Sequence, residues 1–262
     1  MMASNQECVK ANLEMVIRRV KILYMLARWV KRTLQRLRLV LFAFRPAVKI
    51  EADVARFSYQ KLYIAHNFLD KERILDVGSG ADPFPKSSIL AERYLTPTPH
   101  RKAKILTGGK AVVVCDIDYL PFRNLTFDYV TCIHVLEHVD DPIQACRELQ
   151  RVGKAGFIET PTLMKDALFG WAQGMHKWYV VSISNCLVFF EYNARLLQGI
   201  RSLAWHDVIY GPSYHPLQNA FNGNQDLFNI LFEWENGFDV TVMRLDGTVQ
   251  TLDSFFAKRQ ST

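Results

Sequence analysis

The chain has 262 residues, 49% hydrophobic and 22% charged, with a net charge of +6. That balance excludes a largely disordered chain and suits one large domain, or one domain with an appendage. Five scattered cysteines (Cys8, Cys115, Cys132, Cys146 and Cys186) form no C-x-x-C pair, which excludes a disulfide scaffold and suits reduced thiols in a cytoplasmic protein.

The positive charge sits at one end. Residues 1–52 carry eleven Lys or Arg against three Glu, a balance of +8, and the remainder carries −2. No apolar stretch there approaches the roughly 18–20 residues of a membrane span, and no signal-peptide pattern is visible. Val16, Val20, Leu23, Ala27, Val30, Leu34, Leu37, Leu41 and Phe44 recur at steps of four and three. This predicts a basic amphipathic helix that ends at Arg45, before Pro46. Residues 1–50 therefore read as a helical arm. Three roles stand open for it. The arm packs on the protein's own body or on a second copy, as in a homo-oligomer; it lies on an anionic membrane surface through residues 10–49; or it contacts nucleic acid. The membrane reading places the protein in the cytoplasm, peripheral on the inner membrane face.

Residues 51–165 read as the core. A helix is expected from Glu51 to about Leu69, with Val54, Phe57, Leu62, Ala65 and Phe68 on one side. Arg73 to Val77 then feeds Gly78-Ser79-Gly80, a buried strand and a tight turn that keeps side chains away from a ligand. Pro83 occupies the place of the third glycine of the dinucleotide fingerprint, which disfavours a nicotinamide dehydrogenase. Ser88 to Glu92 is a second strand ending in an acid. Glu92 stands 16 residues after Asp76, near the spacing of about 20 for a ribose-binding carboxylate. Ala111–Cys115, ending at Asp116, and Phe127–Val135 read as buried parallel strands. Asp141 caps a helix starting at Pro142, with Ile143, Cys146, Leu149 and Val152 inward and Gly153 at its end. Gly156 to Pro161 is a further strand. The order points to a doubly wound α/β fold.

Asp76-Val77-Gly78-Ser79-Gly80, Leu120-Pro121-Phe122, Phe127-Asp128-Tyr129-Val130 and Val135-Leu136-Glu137-His138-Val139, in this order, resemble the class I S-adenosylmethionine-dependent methyltransferases, most closely the subgroup labelled type 11. The resemblance covers residues 70–162. It implies a Rossmann-like seven-stranded sheet closed by a terminal antiparallel hairpin. It also implies S-adenosyl-L-methionine as cofactor, with Asp76, Gly78 and Gly80 around its methionine part, Glu92 on the ribose, Asp116 facing the adenine amino group, Ile117 against the ring and His134 near the sulfonium or substrate. The link from Gly80 to Glu92 is short and carries Pro83 and Pro85, so a truncated first helix is expected.

Blander readings stand beside these. The glycines serve a turn alone, Glu92 is a solvated acid, Asp116 only caps, and His138 is a core histidine. Asp128 is expected to order its turn and not to touch cofactor. For an oxygen nucleophile, His134 and His138 are the candidate catalytic bases. No metal is expected, because no H-E-x-x-H or comparable cluster appears along the chain.

Residues 166–262 read as a substrate-shaping segment with the final strands. Asn236-Gly237 signals a hairpin between 227–234 and 238–243. Trp171, His176, Trp178, Tyr179, Phe189, Phe190, Trp205, His206, Tyr210, Tyr214 and His215 line a pocket or pack as a cap. The function expected is methyl transfer to a small or lipid-linked metabolite. The alternatives are a nucleic-acid methyltransferase using the arm, and a non-catalytic cofactor-binding interaction protein.

Overall fold

The structure, a computed structural model, describes residues 25, 26, 29, 60–98, 101, 103–169, 175–193 and 224–253. The chain divides into two compact units, Met1–Val48 and Lys49–Thr262. In the first, Met25, Leu26 and Trp29 are helical and exposed; the rest of the expected arm helix lies outside the described residues. Among the described residues no helix is long and apolar enough to cross a membrane.

The second unit is built on a six-stranded sheet of order β3-β2-β1-β4-β5-β8. Its strands are β1 (Ile74–Val77), β2 (Ile89–Glu92), β3 (Ala111–Val114), β4 (Phe127–Ile133), β5 (Gly153–Pro161) and β8 (Asn229–Glu235). The first five run parallel, and β8 closes one edge antiparallel to β5. Burial explains the apolar runs. Every residue of β1 is buried, as are nearly all of β4 and β5, whereas β3, expected to be buried, is an edge strand and half open. Parallel strands covered on both faces read as continuous apolar runs. The order reverses between β1 and β4, and that switch point opens a crevice at the carboxyl ends of the strands.

The helix α2 (Pro142–Val152) follows its sequence signals closely. Asp141 accepts a hydrogen bond from Gln144 N at 3.1 Å, and Pro142 opens the first turn. Ala145, Cys146, Leu149 and Val152 are fully buried on its inward side. Between β1 and β2 the chain makes turns and no helix, as the two prolines imply.

Three expectations are corrected. The helix predicted from Glu51 to about Leu69 is, among the described residues, only α1 (Gln60–Tyr63). Past Tyr63 the backbone amides of Ala65 and His66 donate to the Glu233 carboxylate at 2.7 and 3.1 Å, and this fixed side-chain acceptor replaces the helical carbonyls. Among the described residues the sheet has six strands, where seven were expected. The hairpin around Asn236-Gly237 does not form, because β8 pairs with β5 while β9 (Asp239–Met243) leaves for a second sheet of order β10-β9-β7-β6. That sheet holds β6 (Trp178–Ile183), β7 (Cys186–Glu191) and β10 (Val249–Leu252). Asn236 and Gly237 do have positive φ, 58° and 97°, so the turn chemistry is as read. Pairing went elsewhere because Val240 and Val242 are buried with Leu187 and Phe189, while Phe232 and Trp234 seat β8 in the same apolar cluster.

Candidate active site

β1 to β4 are parallel, so the turns after them share one edge of the sheet. Gly78 and Gly80 have φ of +70° and +60°, a region that costs other residues energy. A Cβ at Gly78 would also stand 2.4 Å from Val135 Cγ2. The turn after β1 is therefore pressed against the turn after β4, across the switch point.

Glu92 ends β2 and holds this turn. Its Oε1 accepts from Ser79 Oγ at 2.7 Å and from the Gly80 amide at 2.5 Å. It is 5% exposed, so it is not a solvated surface acid. Asp76 is equally internal: Oδ1 accepts from Thr131 Oγ1 and Oδ2 from the Phe84 amide, both at 2.7 Å. This carboxylate ties β1, β4 and the glycine turn together. Asp116 accepts from the Asp118 amide at 3.2 Å, capping the short helix Ile117–Tyr119, and its Oδ2 faces Arg93 Nε at 3.1 Å. Ile117 is buried beneath it. Next along the chain, Leu120 and Phe122 carbonyls accept from Arg151 at 2.8 and 2.6 Å, so α2 pins the Leu120-Pro121-Phe122 segment. Asp128 accepts from the Arg73 amide at 2.9 Å and from Lys154 Nζ at 2.6 Å. It orders the start of β4, at the opposite end of that strand from His134.

The segment between β2 and β3 folds back over the glycine turn. Arg101 donates to the carbonyls of Tyr94, Thr96 and Ala103 at 2.6, 3.0 and 3.0 Å, and the Leu106 amide reaches Gly80 O at 3.3 Å.

After β4 stands a cluster of ionisable groups. His134 has φ +55°, an uncommon backbone state for a non-glycine residue and one found at functional turns. Its ring lies between two buried acids, 3.4 Å from Glu137 Oε1 and 3.2 Å from Glu159 Oε1. Lys165 Nζ is 3.4 Å from His134 Nε2 and donates to Asn229 Oδ1 at 2.6 Å. Burial pushes the Glu137 carboxyl up, but the hydrogen bond from His134 and the charges of His134, His138 and His176 outweigh it and bring it down to about 2. His138 Nδ1 lies 3.0 Å from Met175 O, and its ring meets His176 edge-on at 4.7 Å between centroids. His176 Nδ1 contacts Asp166 Oδ2 at 2.8 Å, and Tyr192 donates to the same oxygen at 2.5 Å. The second sheet delivers this group: Lys177 N donates to Glu137 O, and Trp178 Nε1 to Val139 O at 2.8 Å.

The structure thus gathers Gly78, Gly80, Glu92, Asp116, Ile117 and His134 along one edge, with His138 beyond His134. It adds Glu159, Lys165, Asp166 and Tyr192, which sequence reasoning missed. His176 was in view only as one of many aromatic and histidine residues. No local spacing marks these five: β5, paired with β4, brings Glu159 to His134, the helix after it (Leu163–Phe169) brings Lys165 and Asp166, and β6 and β7 bring His176 and Tyr192. Trp178 is buried core. Trp171, Trp205, His206, Tyr210, Tyr214 and His215 lie outside the described residues. A cavity of about 570 Å³ lined by His66, Lys71, Asp128 and Lys154 opens at the other end of the sheet, away from this chemistry.

Residues 75–157 match a protein-family model described as a methyltransferase domain. The chain carries a class I S-adenosylmethionine-dependent methyltransferase domain. Around this methyltransferase domain the similarity to individual proteins is shorter than the chain. Ubiquinone biosynthesis O-methyltransferases of Bordetella parapertussis and Bordetella bronchiseptica are 32% identical over 105 residues, covering 35% of this chain and 44% of theirs. The chain thus spans less than half the length of these curated relatives. Among solved structures, a methyltransferase of Thermotoga maritima is 24% identical over 37% of this chain and 46% of its own, with a TM-score of 0.29. One of Aquifex aeolicus is 17% identical over 46% and 74%, with a TM-score of 0.30.

Proposed function

We propose that the protein transfers the methyl group of S-adenosylmethionine to a hydroxyl of a small or lipid-linked metabolite. The observation that carries this reading is the Glu92 carboxylate at the switch point, fixed by Ser79 and Gly80 through one oxygen. Among the described residues nothing is bonded to its Oε2, and a carboxylate oxygen is what a ribose diol donates to. The left-handed glycines carry no side chain, so this turn packs closely, Gly78 against Val135 and Gly80 against Arg101. The residues fit the cofactor: Gly78 and Gly80 flank its methionine part, Glu92 takes the ribose, and Asp116 with Ile117 takes the adenine. Bound there, the cofactor supplies a sulfonium methyl, an electrophile that needs alignment more than activation.

The chain's own residues then orient the acceptor and hold its proton. His134 is the base of this reading. It sits at the carboxyl end of β4 with Glu137 and Glu159 on either side, and those carboxylates stabilise the imidazolium it becomes. Oxygen as the nucleophile draws support from the curated relatives, which are named as O-methyltransferases. The arm, with nine net positive charges over residues 1–50 and Met25, Leu26 and Trp29 exposed, docks on an anionic membrane surface and brings the enzyme to lipid-linked acceptors. This puts it in the cytoplasm at the inner membrane face.

Calorimetric titration with S-adenosylmethionine and its demethylated product tests the cofactor site, and transfer of labelled methyl to hydroxylated ubiquinone precursors tests the acceptor class. Binding with turnover that His134→Gln lowers at least about 100-fold is expected. Folded protein that binds neither cofactor form would overturn the enzymatic reading. Turnover on amine acceptors alone would overturn the oxygen assignment.

A further inference from the structure

We propose that Glu137, His138 and His176 form a binding site for a divalent first-row transition metal ion, beside the cofactor edge. One ligand-type atom from each residue lies within 4.8 Å of the other two. Donors around a tetrahedral ion at about 2.0–2.1 Å stand about 3.4 Å apart. The gap between His138 Nε2 and Glu137 Oε1 is 3.8 Å and the other two are no more than 4.8 Å, so side-chain rotations of about 1 Å close the set.

The hydrogen bonds behind the two imidazoles have the direction a metal site needs. Met175 O and the Asp166 carboxylate only accept, so both Nδ1 atoms carry the hydrogen. In each neutral ring the lone pair is then on Nε2. Tyr192 fixes Asp166 in turn. A carboxylate or carbonyl that holds the far nitrogen of a ligating histidine sets its tautomer and raises its basicity. On the inner side, His138 Nε2 lies 3.8 Å from Glu137 Oε1, and a cation between an imidazole lone pair and a carboxylate oxygen is held by both.

The buried carboxylate is the independent observation. Glu137 is 1% exposed, and its Oε2 has no hydrogen-bond partner. An unsatisfied carboxylate oxygen in such a position costs free energy that a bound cation removes. The charged groups facing it are His134 on one side and His138 and His176 on the other. Lys165 Nζ lies 3.4 Å from His134 Nε2, while Glu159 and Asp166 add negative charge nearby. Two imidazoles with one carboxylate select zinc, cobalt or iron over magnesium and calcium, which prefer oxygen alone. The side chain of His138 is 31% exposed, which leaves a coordination position on the solvent side. Metal binding at this site does not depend on the methyl-transfer reading.

The test uses the full chain, stripped with chelator and titrated with Co²⁺ and then Zn²⁺. One equivalent of Co²⁺ is expected, with visible bands, no thiolate charge-transfer absorption, displacement by Zn²⁺ and none by excess Mg²⁺ or Ca²⁺. His176→Gln should weaken binding at least about 100-fold, and Asp166→Asn about 10- to 100-fold. X-ray absorption of the zinc-loaded wild type, which needs no variant to fold, should read two imidazoles and carboxylate oxygen. Folded wild-type chain that takes up no equivalent of either ion overturns the proposal. So does a zinc shell of sulfur, or binding that a folded His176→Gln variant leaves unchanged; in the first case the cluster holds a proton instead.

Discussion

Single residues at the sheet edge are over-determined. Gly78 combines a left-handed backbone with a neighbour, Val135 Cγ2, that an added Cβ would meet at 2.4 Å. Gly78→Ala therefore carries both a backbone penalty and a steric one. It should lower stability by about 2–4 kcal/mol, read as a shift in urea midpoint. The variant should also weaken S-adenosylmethionine binding, because relief of the clash separates the two turns that face the cofactor. Unchanged stability would mean that the two turns are not in contact. Glu92 makes a related point about burial. Its neighbours were mixed in the sequence, and nothing local told a solvated acid from a buried one. Only the packing of β2 between β1 and β3 places it under Ser79 and Gly80.

At the scale of elements, α2 does more than cover the sheet. Arg151 bridges from its last turn to Glu148, to the carbonyls of Leu120 and Phe122, and to Asn124. Glu148 in turn accepts from the Leu120 amide at 2.8 Å. The segment after Asp116 is thus held by a guanidinium and a carboxylate of a neighbouring helix, and by Gln144, which donates to Asp118 O at 2.8 Å. Arg151→Ala should cost about 2–3 kcal/mol, since it leaves Glu148 largely buried without its cation and two carbonyls without their donor. Thermal unfolding checks the stability. Affinity for S-adenosylmethionine should fall with it, through loss of the Asp116-Ile117 position. Arg151→Lys should recover little, because an ammonium cannot reproduce the planar fork. The helix itself was legible, since capping and periodicity are local. Its grip on the 120–124 segment was not, because that is a contact between elements.

At the scale of the molecule, a four-stranded second sheet shares one apolar cluster with the six-stranded one. That union brings His176 and Tyr192 against Asp166, beside the turn after β4. The other large feature is the charge asymmetry, which is a property of composition alone. If the arm serves a membrane, the full chain should float with vesicles containing anionic lipid and stay behind with neutral ones. Binding should weaken as salt rises, since screening shortens the reach of its charges. A chain lacking residues 1–48 should not float. Retention of RNA or DNA by the full chain, with no vesicle binding, would transfer the arm to nucleic acid.

The sequence by itself determined the parallel strands, the glycine turn, the capped helix and the order in which they follow. Each of these is written in local periodicity, in turn chemistry or in a motif of a few residues. The tertiary structure alone decided that the strands flanking Asn236-Gly237 part into different sheets, and that Glu137 meets His176. A turn signal fixes the direction of a chain for a few residues, whereas strand partners and side-chain clusters are chosen by which apolar faces are buried together.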